Sequence, residues 1–248
     1  NKIDFSAYTS HDSFRFNSDT TYSYNNNIFA LKWRHFFNSR FFSSLSVNNS
    51  SYNYDVSSQF VQAEAFNLEH RVNSTSFIAD FSWFLGRNEI NFGLDVNRYI
   101  IAPGNYLPYN DSSLVIPDRL QKERAWEGAL YAEDKFLLTD YLSFNAGVRL
   151  TSYFSLGPQN VMLYNPELSK SKSTIIDTLN FKPGQVISKY IGPEFRVSIN
   201  LRTSDKNSLK LNYNRTRQYL HLLSNSTSIS PTDTWKLSDY YLKPQVGD

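Results

Sequence analysis

Five side chains in polar stretches carry the most evident binding chemistry of the chain: Tyr106, Tyr109, Tyr219, His221 and Trp235. Rings of this kind stack on sugar rings or cup an iron chelate, and they also pack loop on loop. A second group, Arg149, Glu194, Arg196 and Arg202, falls on the polar side of alternating segments, where it can line a passage, meet another domain or pair within its own wall. Catalytic chemistry has no such foothold. The chain has no HExxH, no GxSxG, no Gly-rich phosphate loop, no paired metal-ligand spacing and no acid, base and nucleophile constellation, so neither an enzyme nor a cofactor is expected. The histidines His11, His35, His70 and His221 are scattered over loops and strand ends, as interface or surface residues are. Sequons at Asn49, Asn73, Asn214 and Asn225 are what chance yields in so Asn- and Ser-rich a chain.

The elements that must position these residues are strands. Aromatics make up 16% of the 248 residues, Tyr and Phe above all, a mixture that favours pleated strands over helices. No apolar run of about 18 residues exists, which excludes helical spanning. Cysteine is absent, removing disulfides, thiol catalysis and cysteine metal sites together. A net charge of +2 asks for no nucleic acid. Period-two alternation recurs in nine segments. Leu142, Phe144, Ala146, Val148 and Leu150 face one way, and Ser143, Asn145, Gly147 and Arg149 the other. Phe195, Val197, Ile199 and Leu201 repeat the pattern against Glu194, Arg196, Ser198, Asn200 and Arg202. Phe77 to Leu85 and Ile90 to Val96 flank a Gly-Arg-Asn turn as a hairpin, and segments around Ile3, Phe29, Phe41, Trp126 and Leu209 continue the series. Asp134 falls on the apolar face of its segment, where a bulge or an interfacial position is expected.

Alternation alone fits a soluble β-sandwich as well as a barrel. Three features favour a transmembrane barrel. The segments run about 11 to 16 residues, long enough to cross a bilayer at a tilt, which takes roughly 9 to 11. Aromatics gather where strands meet turns: Phe36, Phe37 and Phe41 around Asn38-Ser39, Trp83 and Phe84 before Gly86, Phe136 and Tyr141 around Thr139-Asp140. The apolar faces carry almost no charge, whereas the opposite faces carry Arg149, Glu194, Arg196 and Lys210, as a wet lumen would. The turns also alternate in kind. Short ones at Asn38-Ser39, Gly86 to Asn88, Thr139-Asp140 and Thr203 to Asn207 are separated by long connections at about 15–24, 55–71, 102–122, 155–189 and 219–248. Short turns on one side and long loops on the other mark the periplasmic and external ends of an outer-membrane barrel.

Two stretches carry a family resemblance. LYAEDKFLLTDYLSFNAGVRL, Leu130 to Leu150, resembles the hairpin YxQDxxxLTDxLxLNxGxRY common in the barrels of TonB-dependent outer-membrane receptors. There the Tyr marks the girdle, the Thr-Asp turn is periplasmic, and Gly-x-Arg closes the next strand. YLHLLSNSTSISPTDTWKLSDYYLKPQVGD, Tyr219 to Asp248, is similar to the external loop ending in LKPQ or LRPE in that family, Bacteroidota members especially. Phe77 to Gly104 is similar in kind.

The resemblance implies an all-β, antiparallel up-and-down transmembrane barrel in the outer membrane. About nine strands would form a middle portion of a roughly 22-stranded wall. It also implies TonB-dependent import of a ligand (an oligosaccharide, an iron chelate or a peptide) captured by external loops. The bilayer and lipopolysaccharide would surround the wall. A plug domain and TonB would act through parts not among these residues, and a surface lipoprotein is a further expected partner. Two rival readings stay open: a structural or secretion-linked barrel without import, and a soluble glycan-binding adhesin-like β-protein.

Overall fold

The computed structural model describes residues 1–15, 19–223 and 234–248; the sequon at Asn225 lies outside them. Period-two segments become long strands: β1 (Lys2–Arg15), β2 (Thr20–Phe36), β3 (Phe41–Ser58), β4 (Phe66–Leu85) and β5 (Asn88–Pro108). There follow the short β6 (Asp118–Arg119), then β7 (Glu123–Leu137), β8 (Leu142–Leu156), β9 (Gln159–Tyr164) and β10 (Ile175–Phe181). The chain closes with β11 (Val186–Arg202), β12 (Ser208–Gln218), β13 (Leu220–Leu223), β14 (Thr234–Leu237) and β15 (Gln245–Gly247). Among the described residues the only helical pieces are two 3₁₀ turns of three residues each.

One antiparallel up-and-down sheet of 11 strands runs β1-β2-β3-β4-β5-β7-β8-β11-β12-β15, with β6 on β5. The pairs β9-β10 and β13-β14 form separate hairpins. Each short turn has a local cause. Asn38 accepts the backbone N–H groups of Arg40 and Phe41 on its side-chain oxygen at 2.8 and 2.9 Å. Gly86, at φ +61, takes the first central position of a two-residue hairpin, which an L side chain resists. Thr139 Oγ1 accepts from the N–H groups of Tyr141 and Leu142.

Register assigns the faces. Leu94, Leu130 and Leu150 stand in one row, and Phe92, Ala132, Val148 and Phe195 in the next. This apolar face is bare: Phe5 is 69% exposed, Leu130 62% and Leu150 51%. Large exposed apolar patches on this scale mark a non-aqueous partner. The opposite face holds the polar side chains and the β13-β14 hairpin, and is called the inner face below. Asp134 pairs with Ile90 and Ala146 in unbroken register, so no bulge forms there; it lies three residues from the end of β7. Register breaks instead opposite His70, where Pro103 and Gly104 stand against one residue of β4. Pro103 has no N–H to give a ladder, and a bulge absorbs it.

Within single strands the polarity of the two faces swaps. In β2, Phe29, Leu31 and Trp33 face outward, whereas Tyr22 and Tyr24 face inward; in β3, Leu45 and Val47 face outward, and Tyr52, Tyr54 and Val56 inward. The pairing of β1 through β3 carries no register shift, so the swap lies in side-chain choice and not in backbone geometry. Beyond the swap the outer face bears hydrogen-bonded polar pairs: Thr9 to Asn27 at 2.7 Å, Asn49 to Thr75 at 2.9 Å and Arg71 to Asn53 at 2.8 Å. The strands thus continue past an apolar band into water. β1 runs to Arg15 and β2 restarts at Thr20, inside the stretch expected as a connection from 15 to 24.

Candidate functional site

The inner face has two layers. Level with the apolar band, charges pair along the wall. Arg149 Nη2 donates to Asp95 at 2.9 Å and its Nε lies 3.6 Å from Glu194, whose other oxygen accepts the Arg217 N–H at 2.8 Å. Arg196 lies 3.8 Å from Glu133, which also accepts from Asn145 at 3.2 Å. Tyr131 donates to Asp80 across Gly93, where a Cβ would meet the Tyr131 hydroxyl and the Ala79 carbonyl. Three of the four wall residues expected from the sequence therefore sit in one region, Arg149 bonded to Glu194 and Arg196 a strand step away. Arg202 does not join them. It lies at the short-turn end, where its guanidinium donates to the Asp140 carbonyl at 3.1 Å and covers the Tyr141 ring.

Above this layer the inner face turns apolar and receives the β13-β14 hairpin. Tyr219 and Leu237 pack against Ile101, Ala125 and Tyr153, with Trp235, Leu220, Tyr99 and Val72 around them. Tyr153 donates to the Ser238 carbonyl at 2.7 Å and Tyr190 to that of Asp239 at 2.7 Å. Lys236 Nζ lies 2.7 Å from Glu123 and 2.8 Å from Asp239, and Glu123 also accepts the Leu237 N–H at 2.8 Å. Burial opposes the charge on Lys236, but the two carboxylates outweigh it and hold the ammonium above its ordinary value. His221 is 8% exposed and bonded to Ser238 at 2.9 Å; burial holds its imidazole below the ordinary value. Of the five ring residues expected in loops, Tyr219, His221 and Trp235 belong to this docked hairpin. Tyr106 and Tyr109 lie apart from it, exposed near the end of β5, Tyr106 5.1 Å from the Phe66 ring.

Between the hairpins lies a cleft of 480 Å³ lined by Met162, Tyr164, Lys170, Lys236, Tyr240 and Tyr241 among others. Tyr241 donates to the Met162 carbonyl at 2.6 Å, and the Lys170 ammonium sits 3.8 Å above its ring. Sequence reasoning missed Tyr164, Tyr240 and Tyr241. Only the Tyr-Tyr pair just before LKPQ marked the place, and its ring partners stand on a hairpin some 80 residues earlier. A second missed group is a run of rings across β1 to β4: Phe14, Tyr24, Tyr54 and His70 follow one another at 5.1 to 5.8 Å with interplanar angles of 17 to 22°. Here the rings cover one another's faces.

An apolar belt outside, a paired polar layer inside, tight turns at one end and folded connections at the other define the wall of a transmembrane up-and-down β-barrel. No family model matches the chain, and no curated protein does. Solved structures match in fold. The copper transporter OprC superposes with a TM-score of 0.64 at 10% identity, covering 88% of this chain and 34% of that one. The closed form of the ferric-catecholate import receptor Fiu from E. coli K12 gives 0.51 at 12% identity over 82% of this chain and 34% of the receptor. Its open form gives 0.50 at 12% over 80% and 36%. The chain thus spans about a third of the length of each.

Proposed function

We propose that this chain forms part of the barrel wall of an outer-membrane import receptor of the TonB-dependent family. Its external connections take part in capturing a ligand that a plug domain and TonB then admit. The observation that supports this best is the bare apolar belt backed by paired charges, on a wall whose fold is shared with a copper transporter and a ferric-catecholate receptor. The cleft at Tyr164 and Tyr241 is the capture surface, its rings and Lys170 suited to a planar or ring-bearing anion. The inner charges around Arg149 face the plug. The Bacteroidota-type assignment, with a surface lipoprotein over the external loops, rests on the Leu-Lys-Pro-Gln resemblance at Leu242 to Gln245.

Deletion of the full gene tests the reading. It should abolish high-affinity uptake of one nutrient, uptake should equally vanish in a TonB-deficient strain, and Tyr164→Ala with Tyr241→Ala should raise the half-saturating concentration at least tenfold. Uptake independent of TonB, or a full-length protein that folds and stays soluble in plain buffer, would overturn it.

A further inference from the structure

We infer that the outer face carries a binding site for the phosphorylated headgroup of an outer-leaflet lipid, formed by Arg98, Arg124 and Lys189 around Trp126. The site goes beyond import, although its placement in the outer leaflet rests on the orientation proposed above. Arg98, Trp126, Phe154 and Lys189 stand directly opposite one another across β5, β7, β8 and β11, one row on the outward face. Arg124 stands one row higher, between Ile100 and Leu156.

The level of this row is set by strand length. From Phe144, beside the short turn, to Phe154 are ten residue steps of β8. That is about 33 Å of strand, or about 25 Å along the normal at a tilt of roughly 40°, the height of an outer-membrane apolar band. The row therefore sits where hydrocarbon gives way to headgroups. Trp126 and Phe154 supply the ring belt expected there, with the Lys189 ammonium 5.7 Å from the Phe154 ring centroid.

No protein partner among the described residues explains the two arginines. Among the described residues neither Arg98 nor Arg124 makes an ion pair or side-chain hydrogen bond, unlike Arg149 on the inner face. The outward positions of β5, β7, β8 and β11 hold one acid, Asp134, eight residues down β7 at the opposite edge. Arg98 and Arg124 line a cleft of 340 Å³ together with Trp126, Leu156, Pro158 and Pro183. Two forked guanidinium groups beside apolar side chains suit a phosphate on a sugar or glycerol, its acyl chains running down the band over Val96 and Leu130. Each such cation contributes on the order of fivefold to affinity for an anionic surface.

The test uses the full-length protein in phosphatidylcholine nanodiscs with a few per cent of bis-phosphorylated lipid A, and native mass spectrometry to count retained lipid. Wild type should retain lipid A, and Arg98→Gln with Arg124→Gln should reduce retention at least tenfold. Arg98→Lys with Arg124→Lys should retain an amount between wild type and the Gln variant, since the charge survives and the fork does not. Heat-modifiable migration on gels reports folding for every variant, and should the Gln variant fail it, the Lys variant and the wild-type lipid series carry the test. Equal retention of lipid A and its dephosphorylated form, or no loss in a folded Gln variant, would overturn the site. Displacement by an equal concentration of inorganic phosphate would reduce it to an anion pocket and overturn the lipid assignment. None of these readouts depends on import, so a failure of the uptake reading leaves them intact.

Discussion

The rings of Tyr153 and Tyr219 lie parallel, their centroids 4.7 Å apart, at the point where the β13-β14 hairpin meets the inner wall. Both hydroxyls are also engaged, Tyr153 with the Ser238 carbonyl at 2.7 Å and Tyr219 with Thr151 Oγ1 at 2.8 Å. One residue from β8 and one from the link between β12 and β13 therefore pin the hairpin against the inner wall.

Truncating that contact should free the hairpin. Tyr219→Ala should cost about 3–5 kcal/mol of docking, whereas Tyr219→Phe, which keeps the ring and loses one hydrogen bond, should cost about 1 kcal/mol. Hydrogen exchange at the Leu237 amide reads the difference, and equal protection in both variants would show that the stack contributes nothing.

Lys236 tests the buried charges. Lys236→Ala leaves Glu123 buried with the Leu237 N–H as its remaining donor, and should weaken docking by about 3 kcal/mol. Pairing Lys236→Met with Glu123→Gln should recover part of the loss, because Glu123 then carries no unmatched charge and Asp239 keeps the Tyr241 and Leu242 N–H donors. A double-mutant cycle on hairpin protease resistance checks it; additive losses would contradict a direct coupling.

Docking should depend on pH with a definite sign. Burial depresses the His221 value, with Lys236 adding to the effect and Asp239 opposing it. A depressed base binds its proton more readily in the released hairpin. Stability is therefore full above the ordinary value of 6.5 and falls as pH drops below it. For Asp239, burial raises the value, but Lys236 and the Leu242 and Tyr241 N–H groups outweigh it and hold the carboxyl low. Its contribution is present above the ordinary carboxylate value and is lost as pH falls through the lowered one. Lys236 behaves oppositely, contributing below its ordinary value and losing that as pH rises through the raised one. The protection factor of the Leu237 amide, from which the intrinsic pH dependence of exchange has been divided out, should fall between pH 8 and 5, and His221→Gln should flatten the upper part of that fall.

The apolar belt admits a test that separates lipid from water. Leu130, 62% exposed, and Leu114, 80% exposed in the β5-β7 connection, look alike by exposure. Leu130→Arg should cost about 2–4 kcal/mol in a bilayer, while Leu114→Arg should be near neutral. Unfolding from lipid vesicles by guanidinium measures both, and a neutral Leu130→Arg would mean the belt faces water.

How far these features were legible depends on the distance over which they are written. The alternation of Leu142 to Leu150 is local, since side chains two apart share a face whatever surrounds them, and it located β8 and its exposed side directly. Tyr22, Tyr24, Tyr52 and Tyr54 are equally regular but shifted in phase by one residue, and the alternation reads as broken where it has inverted. Two apolar runs of opposite phase in one long strand are the signal that was there to find.

From its own residues the chain determined long strands, one greasy side, tight turns at one end and a charged opposite face, because backbone periodicity and turn chemistry act over a few residues. Only the tertiary structure decided that Leu237 meets Glu123, 114 positions away, and that the hairpin carrying Tyr219, His221 and Trp235 folds inward. Such pairings depend on which strands lie side by side and which level of the wall each reaches, and no local pattern encodes either.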